Sequence, residues 1–273
     1  MFKALKACTI AVSLLMATAP AWADGAQGTI TRGILKIGSD LTYPPYDYFT
    51  AANNPAGFDV ELMTDVAKVA NLKPEFVDTR FANLIIGLKS SQFDVIASTL
   101  YVNPDRAKQI DFIPYMKTGV SIAVSTASGL SFKKPGDLCG HRVGSIQGAA
   151  WIAKLSALSQ TVCKGHPIDV REFPSSPEAT QAVLSGGVDA QMEDSAVLQD
   201  AVSKLGGALK ISSTGNLYPV VVGLGIRKGN DALIKTIQTA LDKLERDGVY
   251  GALLKRYNVS KPTESEFKAA LGG

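Results

Sequence analysis

The feature that most constrains this chain is an alternation of strand-like and helix-like patterning that runs its length and starts over midway. "GILKIGSD" (33–40) reads as an apolar strand ending in a turn. The next segment, "NPAGFDVELMTDVAKVANLKP", carries Leu62, Val66 and Val69 at helical spacing, with Asn71 and Pro74 as stop signals. "PEFVDT" is a second strand, "NLIIGLKSS" a short helix and "FDVIAST" a third strand. Strands alternating with helices predict an α/β fold, in which each helix covers a sheet face.

After "DFIPYMKTGVSIAVS" the pattern restarts. "GHRVGSI" (140–146), "PIDVREF" and "VDAQMED" read as strands, with "GAAWIAKLSAL" and "SPEATQAVLSGG" as the helices between them. "LYPVVVGLGIRKG" (217–229) is a long apolar strand, followed by a helix with Leu233, Ile237, Leu241 and Leu244 on one stripe. Two α/β units with two extended crossings predict two lobes joined by a two-strand hinge, near 117–121 and 217–222. The first lobe would be discontinuous, 24–118 and 219–273, and the second would span 119–218.

The N-terminus reads as a secretory signal, residues 1–23. Lys3 and Lys6 precede an apolar run from Ala7 to Ala19, and "AWA" at 21–23 is a cleavage pattern, placing the cut before Asp24. The run is shorter than the roughly 20 residues a membrane span needs. The chain is therefore expected to be exported. Removing the signal also removes two of the three net positive charges. The near-neutral remainder offers no electrostatic argument for nucleic acid or for an anionic membrane. Cys139 and Cys163 remain, and an even count in an exported chain argues for a disulfide. The alternative is a metal pair with His141 and His166, at C-x-H and C-x₂-H spacings that are atypical for zinc.

Motifs for catalysis are mostly missing. The chain has no G-x-S-x-G elbow, P-loop or H-E-x-x-H, and only two histidines. Glu193 and Asp194 end a strand and could supply a general acid, but adjacent strand residues point to opposite faces. No enzyme activity, cofactor or metal is expected. One residue asks for a partner. Arg106, in "STLYVNPDRAKQIDF", lies in the loop beyond the carboxyl end of a buried strand, where open α/β sheets place ligands. It needs an acid, a carbonyl or a ligand. The surface alternative is a salt bridge to Asp105 or Asp111.

Seven stretches in order along the mature chain resemble one family: "IGSDLTYPPYDY", "GFDVELMTDVA", "LIIGLKSSQFDVIAST", "NPDRAKQIDF", "DLCGHRVGSIQG", "SGGVDAQMED" and "LDKLERDGVYGALLKRYNV". They are similar to the bacterial extracellular solute-binding proteins of family 3, the polar amino-acid receptors of ABC importers. The lysine/arginine/ornithine and histidine receptors are examples. The resemblance implies a type II periplasmic binding protein-like fold whose lobes close on a small ligand, a membrane permease as partner, and a monomer. It also implies site residues. Arg106 would hold the ligand's α-carboxylate bidentately, as a planar guanidinium can. Thr99 would add its hydroxyl and N–H, with Ser98 beside it. Asp194 would receive the α-ammonium from the second lobe, and Asp40 a cationic side chain. Tyr43 and Phe81 would sandwich that side chain.

The chain departs from the family pattern at three positions. Tyr101 replaces a small hydroxyl residue, the usual "QGTT" is "QGAA" with Ala149 and Ala150, and Trp151 follows where a polar residue is common. Ala149 can still offer its N–H to an anion. If Tyr43, Phe81, Tyr101 and Trp151 all face the cleft, they suit a cationic or modified amino acid, arginine-like or an opine. The alternative is that Tyr101 and Trp151 pack on their own lobes. Two other functions fit the same fold: an enzyme like cyclohexadienyl dehydratase, with Glu193 as its acid, and a sensor subunit presenting ligand to a receptor.

Overall fold

In the computed structural model, which describes residues 27–273, the alternating pattern becomes two five-stranded sheets and one small three-stranded sheet. The expected signal peptide, with its cut before Asp24, falls outside the described residues. Among those described, no helix is long and apolar enough to cross a membrane.

The chain begins with β1 (Ile34–Ser39) and a short meander of β2 (Thr42–Tyr43), β3 (Asp47–Phe49) and β4 (Pro55–Ala56). Helix α1 (Phe58–Val69) buries Leu62, Met63 and Val66 on one face. Then come β5 (Lys73–Asp78), α2 (Leu84–Lys89), β6 (Val95–Ile96), the one-turn α3 (Pro104–Ala107) and β7 (Ile110–Thr118). The second unit holds β8 (Val120–Ser125), β9 (Arg142–Ile146), α4 (Ala150–Thr161), β10 (Asp169–Phe173), α5 (Ser176–Leu184), β11 (Ala190–Asp194), α6 (Ser195–Lys204) and β12 (Leu209–Ile211). The chain returns through β13 (Val220–Arg227) and ends in α7 (Asp231–Arg246), α8 (Val249–Arg256) and α9 (Glu264–Ala270).

The first sheet has the order β5-β1-β6-β13-β7 and the second β10-β9-β11-β8-β12. In each, three neighbouring strands pair parallel, a fourth (β13 or β8) lies antiparallel beside them, and the fifth (β7 or β12) pairs antiparallel with the fourth. Parallel strands need crossover helices, which is why both sheets are covered on their faces and read as apolar runs. The predicted stripe on α7 is in place: Leu233, Ile237, Leu241 and Leu244 are all buried.

Two neighbouring segments pass between the sheets. Thr118 pairs with Val220, and the Leu217 N–H donates to the Val120 carbonyl at 2.8 Å. Gly119 lies between β7 and β8, where a Cβ would come within 2.5 Å of the Asn216 side chain. The two crossings therefore touch at backbone distance, as a paired hinge requires. Cys139 and Cys163 are joined by a disulfide, with Cα atoms 5.2 Å apart, and so tie the far end of α4 to the segment before β9. Among the described residues no cluster of three or more His, Cys, Asp or Glu side chains is arranged to hold a metal.

Candidate functional site

The carboxyl ends of the parallel strands of both sheets face one another, and Arg106 stands between them. Asn103 caps α3 by accepting the Arg106 N–H at 2.9 Å, and Pro104 occupies the first helical position, so the loop after β6 aims the side chain. Arg106 is 8% exposed. Its Nη1 donates to the Tyr101 carbonyl at 2.7 Å, and its Nη2 crosses to the Gly148 carbonyl of the second lobe at 2.9 Å. The guanidinium carbon sits 5.4 Å from the centre of the Phe81 ring. The two surface acids considered from sequence are engaged elsewhere: Asp105 with Lys108 at 2.8 Å and Asp111 with Lys228 at 2.9 Å. Among the described residues no carboxylate pairs with Arg106. Burial pulls its pKa down to about 10, which still leaves it a cation at neutral pH.

Helix α4 meets Arg106 from the other lobe. Ala149 is its N-cap and supplies no side-chain cap, so the first-turn N–H groups present partial positive charge. The Ala149 N–H itself is used by the Ile146 carbonyl at 3.3 Å. Tyr43, Phe81, Thr99, Tyr101 and Arg106 from the first lobe, with Ile146, Ala149, Ala150 and Trp151 from the second, enclose a cavity of about 10 Å³. That is roughly the room of one water. Tyr101 and Trp151 therefore both face the cleft, with ring centres 5.5 Å apart, and the Trp151 indole N–H is held by Ser145 at 2.7 Å. A larger void of about 170 Å³ lies between Pro44 and helices α5 and α6. Its charged groups, Asp200 and Lys204, are paired at 2.7 Å, so it offers an ion nothing comparable.

Several of the expected residues are committed differently from the sequence reading. The Thr99 N–H donates to Asp59 Oδ2 at 2.7 Å and its hydroxyl to the same oxygen at 3.2 Å, so neither donor is free for an anion. Thr99 has φ of 45°, an uncommon conformation for a β-branched residue, and Asp59 holds it there. Ser98 donates to Asp47 and accepts the Asp40 N–H at 2.9 Å, which makes it a strut between acids. Asp40 is fully buried and already neutralised: Oδ1 takes Arg80 at 2.9 Å and the Thr42 hydroxyl at 2.7 Å, and Oδ2 takes the Phe81 N–H at 2.8 Å. It carries no spare charge for a cationic side chain. Neither Asp40, Ser98 nor Asp194 lines the cavity.

Both acids at the end of β11 are buried, so neither is solvated. Glu193 bends toward the first lobe, where the Tyr43 hydroxyl donates to its Oε1 at 2.6 Å, while Oε2 has no hydrogen-bond partner among the described residues. Burial pushes the Glu193 carboxyl up to about 8. Asp194 sits at the strand end and caps α6, accepting the Ala196 N–H at 2.9 Å. It also receives Tyr101 at 2.6 Å and Tyr46 at 3.2 Å from the first lobe. Burial raises its pKa as well, against the pull of those hydroxyls. Tyr46 and the Gly148 carbonyl were missed from sequence; the tyrosines packed into "YPPYDY" were the available signal for the former.

Fold and site together define a two-lobed receptor, with a buried cation and an uncapped helix terminus facing each other across the seam. A family model agrees. Residues 35–260 match that of the bacterial extracellular solute-binding proteins, family 3, and the chain belongs to this family. The L-cystine-binding protein of Escherichia coli K12 is 28% identical over 228 residues, covering 83% of each chain. Among solved structures, an ancestral arginine-binding protein bound to arginine is 30% identical with a TM-score of 0.77, covering 83% of this chain and 98% of its own. An ancestral amino acid-binding protein described as a precursor of cyclohexadienyl dehydratase is also 30% identical, with a TM-score of 0.72, covering 83% and 96%. These neighbours share the type II periplasmic binding-protein fold expected from the sequence.

Proposed function

We propose that this protein captures an amino acid or amino-acid derivative between its lobes and delivers it to the membrane permease of an ABC importer. The observation that carries this reading is Arg106: a buried guanidinium with no acid partner among the described residues, facing the uncapped start of α4. A buried charge left without a counter-charge is costly, and a ligand carboxylate would supply one at the seam between the lobes. Because the anion would touch both lobes, its binding would favour the closed arrangement.

In this reading the first lobe comprises residues 24–118 and 219–273 and the second 119–218. Arg106 and the N–H groups at the start of α4 take the carboxylate, and Phe81, Trp151, Tyr43 and Tyr101 form the walls. A cationic side chain would rest on the aromatic faces of Phe81 and Trp151 rather than pair with Asp40. The family implies export to the periplasm and a permease partner; a signal peptide ending before Asp24 and a monomeric receptor complete the reading.

One observation favours a second reading, a lyase-like enzyme. Glu193 keeps its proton near neutrality, as a general acid must. Against it, Glu193 does not line the cavity, and its hydroxyl partner Tyr43 stands between them. The test is a thermal-shift and calorimetric screen of the mature chain, unfolded and refolded to strip carried ligand, against amino acids, opines and prephenate. The receptor reading expects a carboxylate that raises the midpoint in the wild type and not in Arg106→Ala. Turnover of prephenate, lost in Glu193→Gln, would replace it with the enzyme reading.

A further inference from the structure

We infer that Tyr101 sets the ligand class: by holding Asp194 it makes the cleft a site for carboxylates whose α-substituent is not a free ammonium. The inference rests on the receptor reading above and narrows it. A carboxylate offers about four lone-pair positions. Asp194 meets three donors from its own chain: the Tyr101 hydroxyl at 2.6 Å on Oδ2, and the Ala196 N–H at 2.9 Å and the Tyr46 hydroxyl at 3.2 Å on Oδ1. An ammonium brings three more donors and no acceptor. Asp194 does not line the cavity and Tyr101 does, so an ammonium held there reaches Asp194 only by displacing the Tyr101 hydroxyl from Oδ2.

Tyr101 is poorly placed to yield. Its carbonyl is held by Arg106 at 2.7 Å, and the residue bridges Val222 of β13, with the Val102 N–H on the Val221 carbonyl and the Gly223 N–H on the Leu100 carbonyl. Its ring packs on Trp151, and the residue is 4% exposed. Moving the hydroxyl means turning a buried ring inside a packed wall. The neighbouring acid does not substitute for Asp194, because Glu193 takes the Tyr43 hydroxyl and lies outside the cavity. Among the described residues the cleft thus presents a cation, Arg106, whose charge a ligand can neutralise, and an anion, Asp194, screened from the cavity by the Tyr101 hydroxyl. A monoanion fits that balance: an N-acylated amino acid, or the corresponding acid without nitrogen at the α-carbon.

The test uses matched probes that differ only at that position: L-arginine, Nα-acetyl-L-arginine and 5-guanidinopentanoate, and L-leucine, N-acetyl-L-leucine and 4-methylpentanoate. Titration calorimetry is run on the refolded wild type, Tyr101→Phe, Tyr101→Thr and Arg106→Ala. In the wild type, the acetylated or nitrogen-free probe of at least one set should bind about tenfold or more tighter than the free amino acid. Tyr101→Phe keeps the ring and should narrow that ratio, while Tyr101→Thr should reverse it. Arg106→Ala should lose every probe. A wild type that prefers the free amino acid, or a ratio unchanged in both Tyr101 variants, overturns the inference while leaving the receptor reading intact. If no probe binds the wild type, the receptor reading fails and the inference falls with it.

Discussion

The Tyr43 hydroxyl donates to Glu193 Oε1 at 2.6 Å, joining side chains 150 residues apart and from opposite lobes. The bond has a pH signature. Burial raises the folded Glu193 pKa to about 8, from an ordinary value of 4.5. Below 4.5 both folded and unfolded chains hold the proton, and the stability that depends on it is fully present. Between 4.5 and 8 only the folded chain holds it, so stability falls as pH rises, by up to about 1.4 kcal/mol per unit. Glu193→Gln mimics the protonated acid and keeps an acceptor for Tyr43. Urea unfolding at pH 5, 6, 7 and 8 should therefore show a flatter profile for the variant. Other buried acids, Asp59 at about 6 among them, contribute to both profiles, so the difference between the two is what counts. Parallel curves would mean that Glu193 does not titrate in this window.

Arg106 makes two hydrogen bonds, to the Tyr101 and Gly148 carbonyls, one on each lobe. A lysine has a single point of charge and cannot reproduce that fork. Arg106→Lys is expected to weaken a bound carboxylate about tenfold or more, and Arg106→Ala further still, at about 1.5–3 kcal/mol per lost charged hydrogen bond. Circular dichroism should show both variants folded. Equal affinity in Arg106→Lys would mean that the charge and not the fork holds the anion, and equal affinity in Arg106→Ala that α4 alone does.

How much of this was legible beforehand depends on how far apart the partners lie. The two α/β units and the stripe on α7 follow from local periodicity, which a single stretch of sequence records. Helix α6 escaped notice because it starts directly after β11, with the strand's last residue, Asp194, as its N-cap. The meander β2–β4 escaped because strands of two and three residues carry no period. Arg106 was legible as a residue wanting a partner, since its loop follows a buried strand. The commitments of the other site residues were not. Asp40 is spent on Arg80, the Thr99 donors on Asp59, and Asp194 on Tyr101, which is 93 residues away. Sequence shows which groups could bind a ligand, but only the packed chain shows which have already been used.

Asp59 is the clearest case of such a used group. Fully buried in α1, it accepts the Tyr115 hydroxyl at 2.6 Å as well as both Thr99 donors. Asp59→Asn would set an amide N–H₂ against donors or leave Thr99 unpaired at its positive φ. A loss of about 1.5–3 kcal/mol is expected, the range for hydrogen bonds to a charged group. Thermal and urea unfolding measure it. A loss below about 0.5 kcal/mol would show that Thr99 holds its conformation without Asp59.

At Gly148 the backbones of the two lobes approach each other beside the cavity. It has φ of 80°, and a Cβ there would sit 3.3 Å from the Ala82 backbone of the first lobe. Its carbonyl receives Arg106 from the same side. Gly148→Ala introduces two separate costs. The left-handed backbone becomes unfavourable by roughly 1–2 kcal/mol in any arrangement of the lobes. The added methyl also presses on Ala82, and that contact exists only when the lobes are together. Unfolding experiments read the first cost, and small-angle scattering with ligand titration reads the second. The expected outcome is a modest drop in stability together with a larger radius of gyration and weaker ligand binding. A variant that loses stability but keeps wild-type dimensions and affinity would show that Ala82 gives way, and that closure does not depend on the glycine.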